Sequence, residues 1–134
     1  GARSSEILSR QVRDVDDGGR VLWIPDGKTK NARRRLSVPE EVQPLLKRLM
    51  GQRPPEDFLI GEGRNKPYPS PVLWKRLRRF CSMAGIPQVC PHSLRGLHST
   101  LAIEAGATSG AVIAQLGHSS FQTTERHYLD KTAA

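Results

Sequence analysis

Six side chains scattered along 134 residues could together handle one phosphodiester. Arg3 lies in G-A-R-S-S-E, Lys28 in G-K-T-K, His92 and Arg95 in H-S-L-R, His118 in L-G-H and Tyr128 in T-T-E-R-H-Y. A phosphodiester repels nucleophiles, and further charge gathers on its non-bridging oxygens as a pentavalent transition state forms. Fixed cationic donors around those oxygens lower the barrier, one well-placed donor by roughly 3–4 kcal/mol. Arginine stays protonated and offers phosphate a bidentate fork, so Arg3 and Arg95 are the candidates for that task. His92 precedes Arg95 by three residues, which puts both on one face of a helix. A tyrosine hydroxyl titrates near ~10. As a nucleophile, Tyr128 therefore needs arginines that favour the phenolate and an imidazole to accept its proton, with His92 a candidate base. His118, after Gly117 at an expected helix end, can aim its ring at a phosphate oxygen. The leaving 5′-hydroxyl needs a proton, which Lys28 or Lys30 on a hairpin tip can give. A phosphotyrosine conserves the energy of the broken strand, so reversal reseals DNA without ATP, metal or small-molecule cofactor.

Taken singly, each of these residues has an ordinary explanation. H-S-L-R alone reads as a surface turn, His118 as a partner for a helix dipole, and Tyr128 as an aromatic anchor for the tail. The ordered set is what points to DNA strand cleavage and rejoining.

The bulk properties agree. A net charge of +8 and a pI near 10.2 favour a polyanionic partner, double-stranded DNA foremost. Lys30, Arg33, Arg34 and Arg35 around the hairpin, and Lys75, Arg76 and Arg79 on a later helix, are the expected backbone contacts, against the alternative of solvated charge. Cys81 and Cys90 make no disulfide framework, which fits a reduced, cytoplasmic and nucleoid-associated setting. No apolar run reaches membrane-spanning length. Cys81, Cys90, His92 and His98 match no common zinc spacing, so no metal site is expected.

These residues need a scaffold, and the patterning predicts a mainly helical α+β domain with a small antiparallel sheet. A helix is expected from 4 to about 13 and a break at 14–19. Strands at 21–24 and 33–38 would form a basic-tipped hairpin. A second helix opens at Pro39 with Leu45, Leu46 and Leu49 inward. Residues 58–60 are extended, and a Gly/Pro-rich loop covers 61–69. The helix from Ser70 should bury Leu73, Leu77, Phe80, Cys81 and Ala84. The next, about 93–105, should bury Leu94, Leu97 and Leu101. Thr108 caps another that Gly117 stops. A last short helix after Ser119 would carry Tyr128.

The motifs resemble those of the tyrosine recombinases, the phage-integrase and Xer-type group. G-x-R-x-x-E is matched by Gly1, Arg3 and Glu6, the hairpin lysine by Lys28, H-x-L-R by His92, Leu94 and Arg95, L-G-H by Leu116, Gly117 and His118, and the terminal tyrosine by Tyr128. The resemblance spans almost the whole chain and implies a catalytic domain over 1–134. It implies that Arg3, His92, Arg95 and His118 hold the scissile phosphate and that Lys28 is the general acid. Tyr128 would form a 3′-phosphotyrosyl link, and Glu6 would support the arginine site from behind. Such proteins act as homotetramers on two duplexes. Tyr128 lies ten residues after His118, where many members have nine, and His127 takes the usual place. The chain starts at the first arginine motif and has six residues after Tyr128. It is therefore expected to be a fragment without the upstream helices and N-terminal DNA-binding domain. A DNA-binding relic that no longer cuts, and a type IB topoisomerase-like enzyme, are the competing readings. The DNA target, and the choice among integration, excision and resolution, are not encoded in these motifs.

Overall fold

Alternation in Val21-Leu22-Trp23-Ile24 sets the sheet. Strand β2 (Val21–Ile24) turns Leu22 and Ile24 inward and Trp23 outward, as a period of two requires. It pairs antiparallel with β3 (Arg34–Ser37), Leu22 facing Leu36 and Ile24 facing Arg34. On its other edge lies β1 (Val15–Asp16), so the order is β1-β2-β3. The acidic run 14–19, expected only to break a helix, thus supplies an edge strand and a 3-10 turn, Asp17–Gly19. The computed structural model describes residues 1–25, 32–63 and 66–117. The chain divides into two compact units, Ser5–Tyr68 and Gly1–Ser4 with Pro69–Ala134.

In the Ser5–Tyr68 unit, helix α1 (Ser4–Leu8) stops earlier than expected. Beyond it the backbone bonds to a distant segment instead of its own turn. Val12 N donates to Asp57 O and Leu59 N to Arg10 O, both at 2.9 Å. A 3-10 turn follows at Val12–Asp14. Val12, Leu22, Ile24 and Leu59 form the core, joined by Ile7, Val15, Leu36, Val38, Leu46, Met50 and Ile60. Helix α2 (Gln43–Met50) begins four residues after Pro39, whose carbonyl closes a turn onto Val42 and Gln43. Of the three leucines expected inward, only Leu46 packs on the core; Leu45 and Leu49 are exposed. The Gly/Pro-rich stretch forms a small antiparallel pair, β4 (Gly61–Gly63) and β5 (Lys66–Pro67).

Buried charge is paired here. Arg34 grips Glu6 with two 2.8 Å bonds, NH1 to Oε2 and NH2 to Oε1. Arg10, 2 % exposed, donates to the carbonyls of Glu6 and Trp23 and lies 3.4 Å from the Asp14 carboxylate. Arg53 binds buried Asp57 and the carbonyls of Leu49, Phe58 and Leu59.

The other unit is helical among its described residues. Helix α3 (Ser70–Ala84) has Pro71 in its first turn and ends on Gly85. Helix α4 spans Pro91–Glu104, and α5 (Ser109–Leu116) is capped by Thr108, whose Oγ1 accepts from Ala111 N at 3.1 Å. Two expectations are corrected. On α3 only Cys81 is fully buried, with Leu73 and Leu77 half-buried, while Phe80 is 63 % exposed and Ala84 is also exposed. On α4 the buried residues are Arg95, Gly96 and Ser99, so Leu94, Leu97 and Leu101 lie exposed. A helix cannot turn both sets inward at this spacing, and the arginine's hydrogen bonds take the inner face. None of the described helices is long and apolar enough to cross a membrane.

Ile24 is fully buried in the core cluster, so Ile24→Ala should lower the unfolding free energy by about 2–5 kcal/mol. Thr108→Ala removes one cap bond and should cost about 1 kcal/mol. Urea denaturation of the two variants checks both values and their order.

Candidate active site

The H-S-L-R motif opens at the N-terminus of α4. Cys90 caps it, its sulfur accepting from Ser93 N at 3.3 Å and lying 2.9 Å from Ser93 Oγ. Pro91 occupies the first helical position, where its missing N–H is harmless. His92 follows in the first turn and is exposed. Partial burial acts to raise the Cys90 thiol pKa, but bonds from Ser93 and the backbone N–H groups of the turn bring it below its ordinary 9.0.

One turn further, Arg95 points inward and is 2 % exposed. Its NH1 donates to Gly1 O at 2.5 Å, and its NH2 donates to Leu116 O. Ser99 Oγ in turn donates to Arg95 O at 3.3 Å. The two carbonyls belong to separate motifs. Gly1 opens G-A-R, two residues before Arg3, and Leu116 opens L-G-H, two residues before His118. One guanidinium therefore holds the backbones that lead into both. Arg3 itself is partly buried in the same unit.

Neighbouring side chains crowd Gly1 at the first contact. A Cβ on Gly1 would stand 2.5 Å from His98 Cδ2 and 2.7 Å from Leu116 Cδ2, closer than real side chains approach. At the second, Leu116 is fully buried and anchors α5, while Gly117 takes the left-handed conformation, φ 71°, that ends it. Partial burial of the His98 ring, with the Arg95 guanidinium nearby, holds its pKa below the ordinary 6.5.

The remaining predicted residues fall into three groups. Arg33 and Arg35 are exposed, and the Arg35 guanidinium lies 5.6 Å from the centre of the Trp23 ring. Lys75, Arg76 and Arg79 are exposed on α3; with Val72, Phe80 and Met83 they line a shallow cavity of about 750 Å³. Arg34 is corrected: expected on a DNA surface, it is buried against Glu6, because its position opposite Ile24 turns it to the core side of β3. The Glu6 carboxylate is accordingly bonded to Arg34. Lys28, Lys30, His118, His127 and Tyr128 lie outside the described residues.

Hydropathy patterning gives Arg10 and Ser99 no role and reads Asp14 only as part of a helix break. The four-residue spacing of Arg10 and Asp14 was an available signal for an ion pair on one helical face. Ser99, four residues after Arg95, carried the same kind of signal for a second buried position on α4.

Comparison with known proteins supplies an independent line. The model of the phage integrase family matches residues 1–134. A tyrosine recombinase of Thermosipho africanus is 30 % identical over 125 residues, covering 92 % of this chain and 44 % of that protein. The integrase of Mycobacterium phage L5 is 28 % identical over 138 residues, covering 88 % and 37 %. The chain thus spans less than half the length of these curated relatives. Among solved structures, XerA recombinase superposes with a TM-score of 0.82 at 24 % identity, over 95 % of this chain and 48 % of that one. XerH site-specific recombinase bound to its difH substrate gives 0.75 at 22 %, over 99 % and 42 %. These likenesses show the fold: a small antiparallel sheet with helices, as the patterning predicted.

The depressed His98 pKa fixes the sign of a pH effect. As pH falls through about 6.5, the unfolded chain takes up a proton that the folded one resists, so stability is lost toward acid. His98→Gln should flatten the fall in unfolding free energy between about pH 7 and 5. An unchanged slope in denaturation series at stepped pH would show that another group sets it.

Proposed function

The chain belongs to the phage integrase family, and on that premise we propose that it cuts and rejoins double-stranded DNA at specific sites through a 3′-phosphotyrosyl intermediate. The observation that best supports this reading is the Arg95 guanidinium bonded to the carbonyls of Gly1 and Leu116. That bonding assembles the H-x-L-R motif with the approaches to G-x-R and L-G-H. In this reading Arg3, Arg95, His92 and His118 surround the scissile phosphate. The positive end of α4 adds a fixed dipole beside them.

The chemistry runs in two balanced steps. The Tyr128 oxygen attacks phosphorus, its proton passing to a base such as His92, while the bond to the 5′-oxygen breaks and that oxygen takes a proton from Lys28 or Lys30. A 5′-hydroxyl then attacks the phosphotyrosine and reverses the sequence. No metal or ATP is consumed. Exposed Arg33, Arg35, Lys75, Arg76 and Arg79 would track the DNA backbone. The XerH structure, a complex with its difH DNA, supports duplex DNA as the partner. A homotetramer on two duplexes would exchange the strands, in the cytoplasm at the nucleoid.

Covalent trapping tests the reading. The full-length protein, offered nicked DNA from the flanks of its own genomic element, should give a protein–DNA adduct that survives denaturing electrophoresis. Tyr128→Phe should abolish it and leave salt-sensitive DNA binding nearly intact. An adduct that persists in Tyr128→Phe and vanishes in His127→Ala would place the nucleophile elsewhere. Tight binding with no adduct from any form would favour a DNA-binding relic.

A further inference from the structure

Strand β2 turns one large ring away from the core. Trp23 is 36 % exposed, between buried Leu22 and Ile24. Arg35 of β3 stands directly opposite it in the antiparallel ladder. Alternation puts both on the outer face of the sheet, with Arg34 the buried neighbour. The Arg35 guanidinium lies over the ring, 5.6 Å from its centre and so within the ~6 Å reach of a cation–π contact. Among the described residues, no carboxylate or carbonyl meets that guanidinium. The backbone beneath the ring is held as well, since buried Arg10 donates to Trp23 O at 3.1 Å. Asp16, the acid among the strand residues of this sheet, lies on β1, beyond β2 from Arg35.

A guanidinium is flat and weakly hydrated, so one of its faces can rest on an aromatic ring while its edge keeps the N–H donors. A phosphate binds at that edge, through two parallel N–H···O bonds. Ring and phosphate therefore do not compete for the same side of an arginine. A long exposed side chain loses rotamer freedom when a ligand fixes it. One that already lies on a ring has lost part of that freedom beforehand, which favours binding. We propose that Trp23 is a positioning residue for DNA binding, whose ring holds the Arg35 guanidinium in place for a backbone phosphate of the duplex. This role rests on the DNA reading above and adds an uncharged residue to a surface so far described by its charge.

Coupling between the two residues gives a readout that a purely structural role would not move. A ring that served only the fold would affect binding equally with and without Arg35, or not at all. A ring that acts through Arg35 loses its influence once the guanidinium is gone, so the two substitutions are non-additive. Salt supplies the second readout. Each phosphate neutralised by a cation releases counterions, so losing one contact lowers the slope of log affinity against log salt by about one.

The test is equilibrium binding of the full-length protein to an intact duplex from one end of its own genomic element, at stepped salt. Trp23→Leu keeps apolar bulk and removes the ring, Trp23→Phe keeps a ring, and circular dichroism compares their folds with wild type. Arg35→Ala should lower the salt slope by about one. Trp23→Leu should weaken binding roughly two- to fivefold, the size of an exposed cation–π contact, and Trp23→Phe should recover most of that loss. Added to Arg35→Ala, Trp23→Leu should change nothing further. An unchanged slope in Arg35→Ala would overturn the positioning role and leave the DNA reading standing. So would a Trp23→Leu effect that is absent, or that is equally large without Arg35. A wild-type protein that fails to bind the duplex, or binds it indifferently to salt, would overturn both.

Discussion

A guanidinium that cannot leave the interior organises the described part of the candidate site. Removing an arginine from water costs several kcal/mol unless its donors find acceptors. Arg95 finds them in the carbonyls of Gly1 and Leu116, which lie at opposite ends of the described chain. Much follows from that demand. A side chain on Gly1 would force the His98 ring or the Leu116 side chain to shift. Helix α4 has to turn its Arg95–Ser99 face inward, which leaves its leucines exposed. Helix α5 has to end where the Leu116 carbonyl is available, and Gly117 ends it there. The buried cation is a cost to folding that brings the H-x-L-R motif together with the residues leading into G-x-R and L-G-H, the trade that functional sites commonly make.

The sheet unit handles arginine differently. Arg10 and Arg34 are buried beside carboxylates, while Arg33 and Arg35 are exposed on the neighbouring positions of the same segment. A run of three arginines at 33–35 thus divides by strand alternation into one structural residue and two surface ones. The net charge of +8 is accordingly not a measure of the surface charge. Part of the basic content is internal, held by Glu6 and Asp14.

How much of this the sequence disclosed depends on the physical range of each signal. Strands β2 and β3, the Thr108 cap and the Gly117 stop were legible, since alternation and capping act within a few residues. The motifs were legible as an ordered set, and that sufficed for the family. The partners of Arg34 and Arg95 were not. Each bonds across a gap, 28 residues to Glu6 and 94 to Gly1, that no periodicity spans. The same blind spot reversed α4. Leucines at helical spacing read as core by hydropathy, and only the distant carbonyl acceptors reveal why an arginine takes that face. Edge strand β1 was missed because two residues rich in acid carry no alternation to detect.

Whether Arg95 serves only the fold or also the reacting phosphate can be separated by removing charge from the substrate. A methylphosphonate at the scissile position replaces one non-bridging oxygen with a neutral methyl group, so the transition state no longer needs a cation at that place. Cleavage of this strand and of an ordinary one by full-length Arg95→Ala is the measurement. If Arg95 neutralises the phosphate, the variant should fail on the ordinary strand and recover on the methylphosphonate. Failure on both strands by a folded variant would confine Arg95 to holding Gly1 and Leu116, and the site would need another principal cation.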